Sequence, residues 1–128
     1  QLLFEESDEH TRTAGLAVLP GRVTRLPERD AAGERLRVPH IGWNEVRFAG
    51  QHPVLTELPG ADYFYFVHSY HAVPGRESDV IGRAEYGSAF AAAVAQDNVL
   101  AVQFHPEKSQ AAGKRFLDAW SAWVARCR

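Results

Sequence analysis

The sequence predicts an α/β domain: a sheet of short strands with a single long helix closing the chain. Three observations carry this. Tyr63-Phe64-Tyr65-Phe66-Val67 is a run of aromatic and β-branched residues, the composition of a strand buried on both faces. Val99-Leu100-Ala101-Val102-Gln103-Phe104 is strand-like and follows the turn pair Asp97-Asn98, so Phe90 to Ala95 reads as the first arm of a hairpin. From Ser109 onward, Ala112, Phe116, Ala119, Trp120, Trp123, Val124 and Cys127 recur at three- and four-residue spacing, one apolar stripe on a helix.

The remaining elements follow in order. Gln1-Leu2-Leu3-Phe4-Glu5-Glu6 sets apolar residues before acids and reads as the middle of a helix. With no Met anywhere in the sequence, the chain is expected to be a piece of a longer protein. Arg22 to Leu26 alternates polar and apolar, as a half-buried strand does. Glu28 to Arg37 is polar around Ala31-Ala32-Gly33 and is expected to be an exposed turn or loop. Val38 to Phe48 is expected to contain a strand, Pro53 to Leu58 one helical turn, and Val80 to Tyr86 another strand. Alanine favours helix, which argues against a strand over Ala89 to Ala95; the turn and strand that follow argue for one. Ser109 is placed as the helix N-cap, after the helix-averse His105-Pro106.

Composition bounds the function. The 128 residues amount to about one domain, and 45% apolar with 23% charged residues excludes disordered and fibrous classes. Fourteen Lys and Arg against sixteen Asp and Glu give a net charge of -2, which argues against broad electrostatic binding of nucleic acid. The single cysteine, Cys127, forms no internal disulfide and no multi-cysteine zinc site. No apolar run approaches the roughly 20 residues of a membrane span, and no basic-then-apolar leader opens the chain. A cytoplasmic location, without nucleic-acid or membrane partners, is the expectation.

Chemistry concentrates in two places. Val67-His68-Ser69-Tyr70-His71 follows the aromatic strand, and Gln103-Phe104-His105-Pro106-Glu107-Lys108-Ser109 lies between a strand and the last helix. In open α/β sheets ligands collect at the carboxyl ends of strands. Pro106 biases His105 toward extended geometry, where side chains two residues apart point to the same side. Glu107 can then hold one ring nitrogen of His105 and leave the other free as a base, the base-plus-orienter part of a catalytic triad. A nucleophile is lacking, and His-x-Glu alone is common on ordinary surfaces. His68, His71, His105 and Glu107 also offer a His/carboxylate set for zinc, but the spacing of His68 and His71 suits neither a metal-binding helix nor one strand face. No metal and no cofactor is expected. The Tyr63 to Phe66 block reads as core rather than as a stacking platform.

Longer strings add a family resemblance. VLAVQFHPEKSQAAG, from Val99 to Gly113, resembles the C-terminal signature of class I (triad) glutamine amidotransferases. VPHIGWNEV (Val38 to Val46), YFVHSYHAVP (Tyr65 to Pro74) and GLAVLPGRV (Gly15 to Val23) narrow this to a resemblance to the glutaminase subunits of imidazole glycerol phosphate synthase. The four strings occur in order over essentially the whole chain.

The resemblance implies a flavodoxin-like fold, a mostly parallel sheet flanked by helices, with its N-terminal part missing here. Residues 1-128 would be the C-terminal part of one glutamine amidotransferase domain. Gln1 to Ser7 match the end of the family's Gly-x-Cys-x-Gly-x-Gln elbow and the helix after it, so the chain would begin just after the nucleophile cysteine. By resemblance the parent hydrolyses glutamine to glutamate and ammonia and passes ammonia to a cyclase subunit, a (β/α)8 barrel. The implied catalytic residues are His105 and Glu107, and the implied glutamine-binding residues are Gln1, Ser69 and Tyr70, with Glu5 near the same pocket. Trp43, Asn44, Tyr65 and Lys108 match positions at the partner interface. Cys127, on the terminal helix, is no substitute nucleophile.

Two other readings stand beside this one: a non-catalytic interaction module that keeps the fold, and a different triad amidotransferase, against which GWNEV and HSYHAVP argue. The 128 residues alone are expected to lack glutaminase activity, and a sheet short of its first strands is expected to expose an aggregation-prone edge.

Overall fold

The computed structural model describes residues 1–127. Among the described residues nine strands form two sheets, and one α-helix covers the larger. The strands are β1 (Glu6–Ser7), β2 (Thr13–Ala14), β3 (Gly21–Arg25), β4 (His40–Phe48), β5 (Ala61–His68), β6 (Tyr70–Pro74), β7 (Val80–Glu85), β8 (Ala89–Gln96) and β9 (Val99–Val102); the helix α1 spans Gln110–Arg126. The smaller sheet runs β2-β1-β3-β6 and the larger β5-β4-β7-β8-β9.

The α/β class, the 90–95 arm of the hairpin, the strands over 22–26, 38–48 and 80–86, and the short turn of helix at Pro53–Glu57 are all present. The expected parallel sheet is not what these residues form. Among the described residues only β1 with β3 is parallel; every other pairing is antiparallel. For three of the antiparallel pairs, β1–β2, β7–β8 and β8–β9, the physical reason is connection length. Parallel neighbours need a crossover of a dozen or more residues. Here β8 and β9 are joined by Asp97-Asn98 alone, with Asp97 at φ 52°.

The opening residues also differ from expectation. Residues 2–5 form turns and bends, not a helix. The carbonyls a helix would use are taken by the loop that follows: Leu2 O accepts Leu16 N–H, Leu3 O accepts Val18 and Leu19 N–H, Phe4 O accepts Ala17 N–H, and Glu5 O accepts Gly15 N–H. Phe4 is pulled into the core by the same arrangement.

The aromatic strand β5 is buried on one face only. Phe64, Phe66 and His68 point inward, while Tyr63 and Val67 are exposed. The strand with both faces covered is β8, where Ala92, Ala93 and Ala95 join the core under α1 and Val94 joins the core between the sheets. This accounts for its alanines: small side chains let covering layers approach a strand from both sides.

Helix α1 packs Ala112, Phe116, Ala119 and Trp123 inward. Trp120 and Cys127, placed on the stripe by their spacing, are exposed. Ser109 occupies the N-cap position, but its hydroxyl makes no capping bond. Instead it accepts from Tyr65 N–H at 2.9 Å and donates to the His105 carbonyl at 2.7 Å. Among the described residues no helix is long and apolar enough to cross a membrane.

Candidate active site

The segment joining β9 to α1 carries His105. Its backbone N–H donates to the Tyr65 carbonyl at 3.0 Å, and Ser109, fully buried, ties the other end of the segment to the same residue of β5. The amide and carbonyl of one residue, Tyr65, thus fix a five-residue loop.

His105 Nδ1 lies 2.8 Å from Glu107 Oε1, so the ring donates there and Nε2 is left free of this contact, the position of a base. The route to this contact differs from the extended-chain expectation. His105 is extended, but Pro106–Lys108 is a 3-10 turn that brings the carboxylate back under the ring. The Glu107 carboxyl is held below its usual range by its own backbone amide and by the His105 ring. With His105 37% and Glu107 62% exposed at the side chain, the pair adds little stability; its importance is orientation.

Gln1 reaches the same end of the molecule. Its Nε2 donates to the Tyr70 carbonyl at 2.9 Å and to Gln103 Oε1 at 2.8 Å. Gln103 lies two residues before His105, and nothing local to it marks it as a site residue, because its partner Gln1 is 102 positions away. Ser69 is the only residue between β5 and β6, so the chain passes from the larger sheet to the smaller at this point. Its carbonyl accepts Leu26 N–H at 2.9 Å. Glu5 is exposed. Cys127 lies beyond the far end of α1, roughly 25 Å along the helix from its start at 1.5 Å per residue. Among the described residues no three His, Cys, Asp or Glu side chains converge as a metal set.

The four residues expected at a partner surface separate into two groups. Trp43 and Tyr65 are paired across β4 and β5 with ring centroids 6.3 Å apart, on the outer face with exposed Ile41, Tyr63 and Val67. Lys108 is exposed beside His105. Asn44 faces the opposite way, half-buried, donating to the Glu85 carbonyl at 2.7 Å.

Beneath the outer face, His40 and His68 are buried and joined through His40 Nδ1 and His68 Nε2 at 2.9 Å. Burial, with the His68 ring second, pushes His40 from 6.5 down to about 4. Burial lowers His68 and His71 as well. The groups facing His40 are His68, Asn44, Tyr86, Phe66 and Phe90, none of them a carboxylate. An unfolded histidine takes its proton first, so stability is full above about pH 6.5 and declines as pH falls toward 4. Urea unfolding at pH 5 is expected to give about 2 kcal/mol less stability than at pH 7.5; equal values at the two pH values would contradict the buried neutral assignment.

The family described as glutamine amidotransferase class-I matches residues 1–121. The imidazole glycerol phosphate synthase subunit HisH of Methylococcus capsulatus is 50% identical over 132 residues, covering 98% of this chain and 61% of that protein. The subunit of the same name from Salinibacter ruber is 50% identical over 123 residues, covering 95% of this chain and 56% of its own. This chain therefore spans a little over half the length of these curated relatives. A crystal structure of a glutamine amidotransferase from Thermotoga maritima superimposes with a TM-score of 0.56 at 18% identity, covering 85% of this chain and 43% of the other, a likeness of fold.

Proposed function

From the premise that the chain belongs to the class I glutamine amidotransferase family, we propose that it is the C-terminal part of one such domain, in the glutaminase subunit of imidazole glycerol phosphate synthase. The observation that carries the reading is the His105–Glu107 pair, oriented at 2.8 Å with Nε2 free, in a chain 50% identical to relatives named as that subunit.

The intact protein hydrolyses glutamine to glutamate and ammonia. His105 takes the proton of an attacking thiol, supplied by a cysteine upstream of Gln1, and returns a proton to the departing ammonia. Glu107 orients the ring and stabilises it once charged. Gln1, Ser69 and Tyr70 hold the substrate's amino-acid end. The partner is the cyclase subunit, a (β/α)8 barrel that receives the ammonia, giving a cytoplasmic heterodimer with lyase activity in histidine biosynthesis. The exposed apolar face with Trp43 and Tyr65, and exposed Lys108 in the loop that bonds to Tyr65, support the contact. Asn44 belongs to this contact through the strand it shares with Trp43 rather than through a side chain on that face.

The test uses the intact gene, purified with its cyclase subunit, and measures glutamate release. His105→Ala is expected to lower kcat/KM by at least about a thousandfold. An active enzyme indifferent to His105→Ala, or an unaltered complex with no turnover, defeats the reading.

A further inference from the structure

His40 and His68 have no role in the reaction as just described, yet their arrangement is more ordered than core filling requires. They face each other across β4 and β5, 4% and 6% exposed. Hydrogen-bond chemistry determines which nitrogen of each holds the proton. The Tyr70 carbonyl only accepts, so His68 Nδ1, at 2.8 Å, carries hydrogen. His68 Nε2 is then bare and accepts from His40 Nδ1–H at 2.9 Å. His40 Nε2 is bare in turn and faces the Asn44 amide nitrogen at 3.4 Å. That amide cannot flip without loss, because Asn44 Oδ1 accepts Glu45 N–H at 2.8 Å. The donors all point one way, from Asn44 to Tyr70.

The rings are held as well as bonded. His40 lies between Tyr86, at 4.1 Å and 25°, and Phe66, at 5.0 Å and 22°. At the receiving end, the Tyr70 carbonyl takes hydrogen bonds from both His68 and Gln1 Nε2. Tyr70 directly follows Ser69, the one-residue crossing between the sheets.

We propose that His40 and His68 are positioning residues for glutamine: a chain of neutral, single-tautomer rings that sets the Ser69-Tyr70 corner and the Gln1 amide to receive the substrate's amino-acid end. The proposal rests on the glutaminase reading above. Core filling asks only for ring volume. A chain of aligned donors ending on the peptide that also holds Gln1 asks for a nitrogen at one place, and that difference is measurable.

The experiment uses the intact protein with its cyclase subunit. His68→Leu keeps most of the volume and removes the donor to Tyr70. His68→Asn places an amide N–H near the position of Nδ1 and keeps that donor. KM for glutamine is expected to rise about tenfold in His68→Leu, the effect of one buried hydrogen bond, with kcat changing less than KM. His68→Asn is expected to return KM to within about threefold of the unaltered enzyme. An unchanged KM in His68→Leu, or an asparagine variant as impaired as the leucine one, overturns the proposal. Nitrogen-15 NMR of the histidine rings in the unaltered protein needs no variant to fold. Protons on Nδ1 of both rings at pH 7 are expected, and a proton on His68 Nε2 overturns the proposal. An unaltered complex without glutamine turnover sinks the glutaminase reading itself, a result distinct from either failure of the histidine variants.

Discussion

Replacing Gly113 by alanine is expected to disable the site although it lies in a helix, where alanine is ordinarily the better residue. A Cβ at position 113 would fall 1.8 Å from the Pro106 carbonyl oxygen and 2.8 Å from its carbon. Both are backbone atoms of the peptide between His105 and Glu107, so neither can swing aside. Helix propensity favours the substitution by about 1 kcal/mol. The overlap opposes it by about 1–3 kcal/mol or more, since the helix or the Pro106 peptide must shift. Overlap wins, and the displacement falls on the residues that orient the base. A shift of about 1 Å costs on the order of a hundredfold in rate. Gly113→Ala in the intact enzyme is therefore expected to lower kcat/KM about a hundredfold while losing up to about 2 kcal/mol in urea unfolding. A variant as active as the parent would mean that the helix does not press on the His105 loop.

The second large effect is expected at Phe64. It is 1% exposed, stacked on Phe104 at 4.0 Å and met edge-on by Phe48 and Phe116. Phe64→Ala leaves a cavity on all these sides, and the loss is expected to be about 3–5 kcal/mol. Domains of this kind hold about 5–15 kcal/mol in total, so the variant is expected to be close to unfolding. Tyr63, one residue earlier and on the outer face, supplies the control: Tyr63→Ala is expected to cost under about 1 kcal/mol. Urea midpoints of the two variants check this, and similar losses at both positions would contradict the one-sided burial of β5.

Most of the architecture was legible because local signals were strong. The apolar spacing after Ser109 located α1 to within a residue, and Asp97-Asn98 between apolar runs located the β8–β9 hairpin. What failed depended on partners distant in sequence. Nothing local to Leu2, Leu3 and Phe4 says that residues 15–19 will take their carbonyls. Nothing in Tyr63 to Val67 says that the outer face lacks a covering layer among these residues, because aromatic content measures strand preference rather than burial. His105 and Glu107 were legible as a pair because they are two residues apart. His40 and His68 were not, being 28 apart and joined only by strand register. Ser109 looked like a cap because its position is one; its hydroxyl serves β5 instead, a choice visible only once Tyr65 is beside it.

The hold of Tyr65 on the His105 loop has a further consequence. In the larger sheet β5 is outermost, so the amide and carbonyl that Tyr65 turns away from β4 lie along an open rim. Such a rim invites another chain to add itself as a strand. Here Ser109 Oγ occupies the amide and His105 N–H the carbonyl. The loop that presents the base therefore also guards the rim. Swinging it outward would leave two strand groups unpaired and open to intruding chains. The same two hydrogen bonds thus both steady the histidine and cover the rim.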